Sequence, residues 1–447
     1  MNRILVFLSL SLGLLMVAGC TVHPQGEQAE RDLAQREGQP FLQPPEDRHL
    51  PALPSEPTPD DLVRYAWLAS PELEQRYWEW KSAIEQIPQD GTQPTNLVLF
   101  GNVPITNGST AFNKTVVTLA NDPMADIQWP SKPTTAAQRA LEQARAAGWR
   151  FQQAKLDLRQ KVLTAYDEYA LGAELLRLEQ ANAQLLMTTA EIAEANIASG
   201  RTTQAASLSA RNEEELSRNQ AAELRSKLPR LHATLNAALG REPDAPLAPA
   251  DSLPPLRDPA GTLARLQLLL TQHSPQLAAQ DAEVRGKQQS VALAKLQYVP
   301  DFSLSGSTDL GGIAQSLSAM VTVPLLKYQA INAAIAQAEA NLRASQAMRR
   351  QTEYDLRSKL VGTIAELHDL DRQVRLLDEQ IIPRAECIAS IGQSEYEAGH
   401  ISLMDVLEAR RSVIGLKRLM ATMRTTRDER LLDIEGVVAV PEHPKHP

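Results

Sequence analysis

The sequence predicts a mainly α-helical protein with a small β part, assembled from two copies of one half. Three features carry that prediction. Segments recur: Ser70-Pro71-Glu72-Leu73 is echoed by Ser274-Pro275-Gln276-Leu277, and Gly200, Leu208, Ala210 and Arg211 are echoed by Gly399, Leu407, Ala409 and Arg410. A repeat this long is a duplicated half-protein, not a solenoid unit, so pseudo-twofold or ring-like character is expected. Aromatic residues are only 4% and charged residues 22% of the 447, while Ala, Leu, Gln, Glu and Arg dominate long stretches, which favours long helices packed along narrow seams over several compact cores. Finally, one helical segment carries two apolar seams. One runs Leu171, Leu175, Leu178, Asn182, Leu185, Thr189, Ile192; the other runs Leu176, Ala183, Leu186, Ala190, Ala193, Ile197. Both use coiled-coil spacing. A helix with two seams touches a neighbour on each side, and repeated around a ring this closes a coiled-coil tube, an α-barrel.

Taken in order, residues 1–19 read as an export signal: Asn2-Arg3, an apolar run from Ile4 to Val17, then Ala18-Gly19-Cys20. The run is shorter than the about 20 residues that cross a bilayer. Residues 20–60 follow as an anchor and a Pro-rich strap, with Pro dense over 38–60, which keeps that chain extended and out of helices. The first repeat is 61–241, a Pro-rich linker 242–259, the second repeat 260–437 and a polar tail 438–447.

Each repeat has the same order. Ser-Pro opens a helix (70–86 and 274–298), with Ser as N-cap and Pro in the first turn. Strand-like stretches come next (about 95–129 and 301–324). In the second repeat, Phe302, Leu304 and Gly306 alternate with Ser, and Leu317, Ala319, Val321 and Val323 alternate with Ser318, Met320 and Thr322, across a turn at 308–312. The first repeat is weaker, at 97–100 and 115–119, and Asp122-Pro123 interrupts the remainder of the stretch up to 129. Phe100, Phe112, Trp129, Tyr298, Phe302 and Tyr328 stand at hairpin ends, as in the aromatic girdles of membrane barrels. Then come a very long helix (134–198 and 328–397), a Gly turn, and a return helix (203–239 and 402–436). At 1.5 Å per residue the first long helix is about 100 Å.

An exported chain with two repeats of this order resembles the TolC-like outer-membrane efflux channel family, as an outer-membrane factor lipoprotein, over residues 61–437. Tyr396-Glu-Ala-Gly399-His-Ile-Ser-Leu-Met-Asp405-Val-Leu407-Glu-Ala409 is similar to that family's tip motif, and Pro300-Asp301-Phe302 and Val323-Pro324-Leu325 to its helix–strand passages. The N-terminal cysteine resembles a lipobox, which implies an acylated Cys20 as first mature residue, with Thr21 pointing to the outer membrane.

The resemblance implies a homotrimer in which four strands per chain complete a twelve-stranded barrel in outer-membrane lipid, while the long helices form a tunnel through the periplasm. It implies a passive conduit for small molecules, docking at its tips on a periplasmic adaptor (membrane fusion) protein that links it to an inner-membrane transporter. The tip positions are Gly200, Arg201 and Thr202, and Gly399, His400, Ile401 and Ser402. Asp405 and Glu408 match the family's acidic constriction, a periplasmic gate of stacked carboxylate rings that favours cations. Asp405 also reads as a helix cap. Repeat 1 departs from the pattern at Ala206. The alternatives are the outer-membrane channel of a type I protein secretion system, and a lipid-anchored periplasmic scaffold of this fold without an intact pore.

No enzymatic chemistry is expected. No nucleophile–base pair or phosphate loop is present, and the histidines show no ligand spacing beyond His443 and His446 in the tail. No metal or cofactor is expected other than the lipid on Cys20. A formal net charge of −9 without a basic cluster argues against nucleic acid as a partner. With Cys20 acylated, Cys387 has no disulfide partner and is expected to fill a small helical position.

Overall fold

The computed structural model describes residues 21–54, 57–106, 109–110, 114–122, 125–197, 202–247, 252–257, 261–310 and 315–439. The elements are α1 (Glu27–Glu37), α2 (Pro59–Ala69), α3 (Pro71–Asp90), β1 (Leu97–Asn102), β2 (Ile105–Thr106), β3 (Ser109–Thr110), β4 (Val116–Asn121), α4 (Ser131–Ala195) and α5 (Gln204–Ala238). The second half continues with α6 (Leu263–His273), α7 (Pro275–Leu296), β5 (Asp301–Asp309), β6 (Gln315–Thr322), α8 (Tyr328–Leu376), a π turn (Leu377–Ile381), α9 (Ile382–Glu397) and α10 (Leu403–Val438).

The duplicated order is therefore present, with differences at its edges. Each Ser-Pro helix is preceded by an 11-residue helix, α2 or α6, that the periodicity did not separate from it. Ser70 does cap α3, its hydroxyl accepting from the Leu73 N–H at 3.4 Å. The strap is not extended throughout. Residues 27–37 are helical, and 39–42 and 45–47 form 3-10 turns. The second long helix runs on to Glu397, but as α8, a π turn and α9 and not as one regular α-helix. Cys387 lies exposed on α9.

The chain forms two compact units, and α3, α4 and α8 have residues in both. The first comprises 1–42, 75–152 and 275–353. Its core is aromatic: Trp80, Tyr77 and Phe151 are fully buried. The strap is built into it, since Phe41 stacks on Tyr77 at 5.5 Å and Trp80 Nε1 donates to Glu30 at 2.8 Å. Gly38 is required there, because a Cβ would lie 1.9 Å from the Tyr77 ring.

This unit also holds the main sheet, antiparallel in the order β1-β4-β5-β6. Directly paired residues share a face, so the register sorts the side chains. Leu99, Leu119, Gly306 and Leu317 fall in one row, and Leu304 and Ala319 beside it. The other face carries Phe100, Thr118, Ser307 and Ser316 in one row, and Ser305 and Ser318 in the next. The Ser307 and Ser316 hydroxyls bond at 2.7 Å. One face is thus mostly apolar, and the other carries most of the hydroxyls, with Val98, Val116, Ala120 and Met320 among them. β1 and β6 are the outer strands, each with one edge unpaired among the described residues. Trp129, Tyr298 and Tyr328 are exposed beside the strand–helix passages, while Phe100 lies within β1 and Phe112 outside the described residues.

The second unit comprises 43–74, 153–274 and 354–447. Here the inter-repeat linker is pinned to the helices. Arg257 pairs with Asp167 of α4 at 3.3 Å, and Arg427 of α10 donates to the Arg257 carbonyl and, at 2.8 Å, to Asp371 of α8. Burial pushes the Asp167 carboxyl up to about 6, opposed by Arg257. Of the two seams on α4, Ala183, Leu186, Ala190 and Ala193 of one are buried within the chain while its Ile197 is exposed; in the other Thr189 is buried, and Leu185 and Ile192 remain 55% and 45% exposed.

Candidate functional site

The residues expected at the tips lie in the second unit, where the two repeats share one small core. Leu186, Ala190 and Ala193 of α4, Ala210 of α5, and Leu403 and Leu407 of α10 are buried together, with Ala206 and Tyr396 packed against them. Short side chains on α4 bring these helices close. The matched leucines of the repeat diverge: Leu407 is buried, and Leu208 is exposed.

The turn of repeat 2 arises from its sequence. Gly399 adopts φ +80°, the left-handed conformation that glycine takes without penalty. His400 N–H bonds to the Glu395 carbonyl at 2.8 Å and Gly399 N–H to Tyr396 at 2.9 Å, the Schellman pattern that ends a helix. Ser402 then opens α10 with a capping box. Its N–H and hydroxyl donate to Asp405 Oδ2 at 2.9 and 2.6 Å, and its hydroxyl accepts from Asp405 N–H at 3.4 Å. The Ser402 hydroxyl, followed by its backbone N–H, holds the exposed Asp405 carboxyl below the ordinary carboxylate range. In repeat 1, Thr203 caps α5 through the Ala206 N–H at 3.2 Å, and Ala206 returns nothing. The divergence between Ala206 and Asp405 is thus, first, the difference between half a capping box and a whole one.

Of the predicted positions, Thr202, Gly399, His400, Ile401, Ser402, Asp405 and Glu408 are described; Gly200 and Arg201 lie outside the described residues. Asp405 and Glu408 are both exposed, one turn apart, and Glu408 pairs with Arg411 at 3.0 Å. The structure adds bonds between the repeats. Buried Thr202 Oγ1 meets Tyr396 Oη at 2.7 Å. Arg410, half-buried, donates to Gln393 at 2.9 Å and to Thr189, and Arg411 also reaches Glu213. The sequence signal for Arg410 was its match to Arg211, but the match conceals different partners. Arg211 stays exposed and bonds Glu194 at 2.6 Å within its own repeat.

Replacing Tyr396 with Phe removes one hydroxyl and no volume. It is expected to cost about 1 kcal/mol at the tip, read as faster amide exchange over residues 396–410 with global unfolding little changed. Unaltered exchange there would show that the Thr202 bond contributes nothing.

Among the described residues no group of three or more His, Cys, Asp or Glu is placed to hold a metal ion, and no helix is long and apolar enough to cross a membrane.

Comparison with known proteins agrees with this geometry. Residues 267–438 match the family model described as outer membrane efflux protein. The chain is 25% identical over 287 residues to the cobalt-zinc-cadmium resistance protein CzcC of Cupriavidus metallidurans, an alignment covering 62% of this chain and 65% of that protein, just under two thirds of its length. The fold is that of a membrane protein from Pseudomonas aeruginosa, with TM-score 0.73 and 18% identity over 85% of this chain and 92% of that one. It is equally that of the outer membrane protein VceC from Vibrio cholerae, with TM-score 0.72 and 19% identity over 85% and 96%.

Proposed function

We propose that this chain is a member of the TolC-like outer membrane efflux protein family and the outer-membrane channel component of a tripartite efflux system. The observation that carries this reading is the sheet. Its apolar face suits lipid and its hydroxylic face suits a water-filled lumen. Its two unpaired edges cannot stand in lipid, where each unsatisfied backbone group costs several kcal/mol, so the sheet must close with other copies. Three copies of four strands give a twelve-stranded barrel, matching the trimer the family resemblance implies. The exposed Leu185–Ile192 seam on α4 supports the same association, because it needs a neighbour the single chain does not supply. The chain acts as a passive conduit, drawing its driving force from an inner-membrane transporter through a periplasmic adaptor docked at the Thr202 and Gly399–Ser402 turns. The relative named for cobalt, zinc and cadmium resistance makes divalent metal cations the first cargo class to try.

Single-channel recording of the purified protein in planar bilayers tests the assignment. Folded trimers that carry no current would overturn it.

The anchor belongs to the same proposal. Val22 N–H bonds the Gly91 carbonyl at 3.1 Å and Thr21 meets Thr92 at 3.2 Å, just before β1 begins at Leu97. A lipid on Cys20 would therefore start beside the base of the membrane sheet. Cys20→Ser is expected to shift protein from the membrane to the soluble periplasmic fraction; a wild-type membrane level, measured by fractionation, would mean that the barrel alone holds the protein.

A further inference from the structure

The π turn at Leu377–Ile381 marks a one-residue difference between the repeats. Before it, buried positions of α4 and α8 correspond at a separation of 198 residues: Leu158 with Leu356, Val162 with Leu360, Tyr169 with Leu367, Glu179 with Leu377. After it the separation is 199: buried Ala183, Leu186 and Ala190 correspond to half-buried Ile382, Ala385 and Ala389, buried Ala193 to buried Gly392, and the turn glycine Gly200 to Gly399. The second repeat therefore holds one extra residue, and the structure places it in the π turn, where the Ile382 N–H bonds the Leu377 carbonyl five residues back.

The extra residue decides which side of α9 faces inward. Three–four spacing continued from Leu377 leads to Arg384, Ile388 and Ile391. Instead Ala385, Ala389 and Gly392 turn inward, and Ile388 and Ile391 are left 62% and 52% exposed. The wide turn also accommodates Pro383. In a regular helix its ring would meet the Glu379 carbonyl and give it no N–H. Asp378, Glu379 and Gln380 are exposed, so water reaches this stretch of backbone. The corresponding stretch of α4 is regular helix, with Gln184 in place of the proline and the buried Glu179 in place of Leu377.

We propose that the π turn and Pro383 form a joint, present in the second repeat alone, about which α9 and its Gly399–Ser402 turn move relative to α8. A π turn with a proline lacks the unbroken hydrogen-bond ladder that makes a long helix stiff. The small inward residues let α9 shift against α10 without unlocking large side chains. The role of the joint in opening a periplasmic gate rests on the channel reading; its mobility does not.

Amide exchange on the full-length purified protein tests it. Exchange over residues 378–390 is expected to be faster than over 180–191. Deleting Glu379 together with Pro383→Ala turns the five-residue step into four, so the same alanines still face inward while the joint is gone. Exchange over 382–392 should then slow by about tenfold. Equal protection of the two repeats in the wild type, or no slowing in the variant, would overturn the proposal. The reciprocal change, an alanine inserted after Gln180 with Gln184→Pro, should raise exchange over 183–193 towards the level of the second repeat, and no rise there also counts against the joint. If the wild type shows this exchange difference but carries no current in bilayers, the joint stands and the channel assignment fails.

Discussion

Leu304→Arg is expected to destabilise the assembled trimer, whereas Ser305→Arg, one residue along, is not. The two positions lie at the middle of β5 on opposite faces of the sheet. Leu304 pairs with Ala319 on the apolar face, and Ser305 with Ala120 and Ser318 on the other. An arginine on the lipid face near the bilayer midplane costs about 2–4 kcal/mol, repeated in each copy. On the lumen side the guanidinium stays in water, so stability should hold while the current shifts towards anions. Trimer stability in detergent reads the first effect, and reversal potential the second. Equal loss of stability at both positions would mean that the sheet is packed on both faces and does not border a water-filled pore.

The double change Asp405→Ala with Glu408→Ala is expected to raise single-channel conductance and to weaken block by divalent cations, because it removes two carboxylates from each chain at the proposed constriction. The geometry adds a control. Asp405 also closes the capping box, and losing a cap costs about 1 kcal/mol of helix stability. Ser402→Ala breaks the box while leaving both charges in place. If Ser402→Ala raises conductance as much as the double change, the acids act by holding the start of α10 and not as a charged ring. If only the double change does so, charge is the operative property. At the proposed constriction, Arg411, bonded to Glu408 and Glu213, would offset part of the Glu408 charge, so a graded effect of Glu408→Ala alone is expected at low salt.

Much of this architecture was legible in the sequence because it is local. The Ser-Pro helix starts, the left-handed Gly399 and the Ser402–Asp405 box are settled within a few residues, and the long helices arise from apolar spacing. The alternation of Leu and Ser in β5 already contained the two faces of the sheet. What escaped was of two kinds. Helices α1, α2 and α6 are short and lie among prolines, so composition masked them; α1 is held by Trp80, 50 residues from Glu30, and the turn at Phe41 by Tyr77, 36 residues on. The π turn escaped because a one-residue insertion leaves the apolar pattern on either side intact and shows only when buried positions of both repeats are aligned.

By itself, then, the sequence determined the repeat order, the Ser-Pro and Ser402 helix starts, the alternation of the strands and the turn at Gly399, all set by near neighbours in the chain. Only the tertiary structure decided which apolar positions of α4 are buried inside the chain and which stay exposed. The same holds for Arg410, which bridges to Thr189 while its counterpart Arg211 stays in its own repeat, and for the side of α9 that faces inward. Those outcomes depend on groups far apart in sequence, and periodicity says that a face is apolar without saying what will cover it.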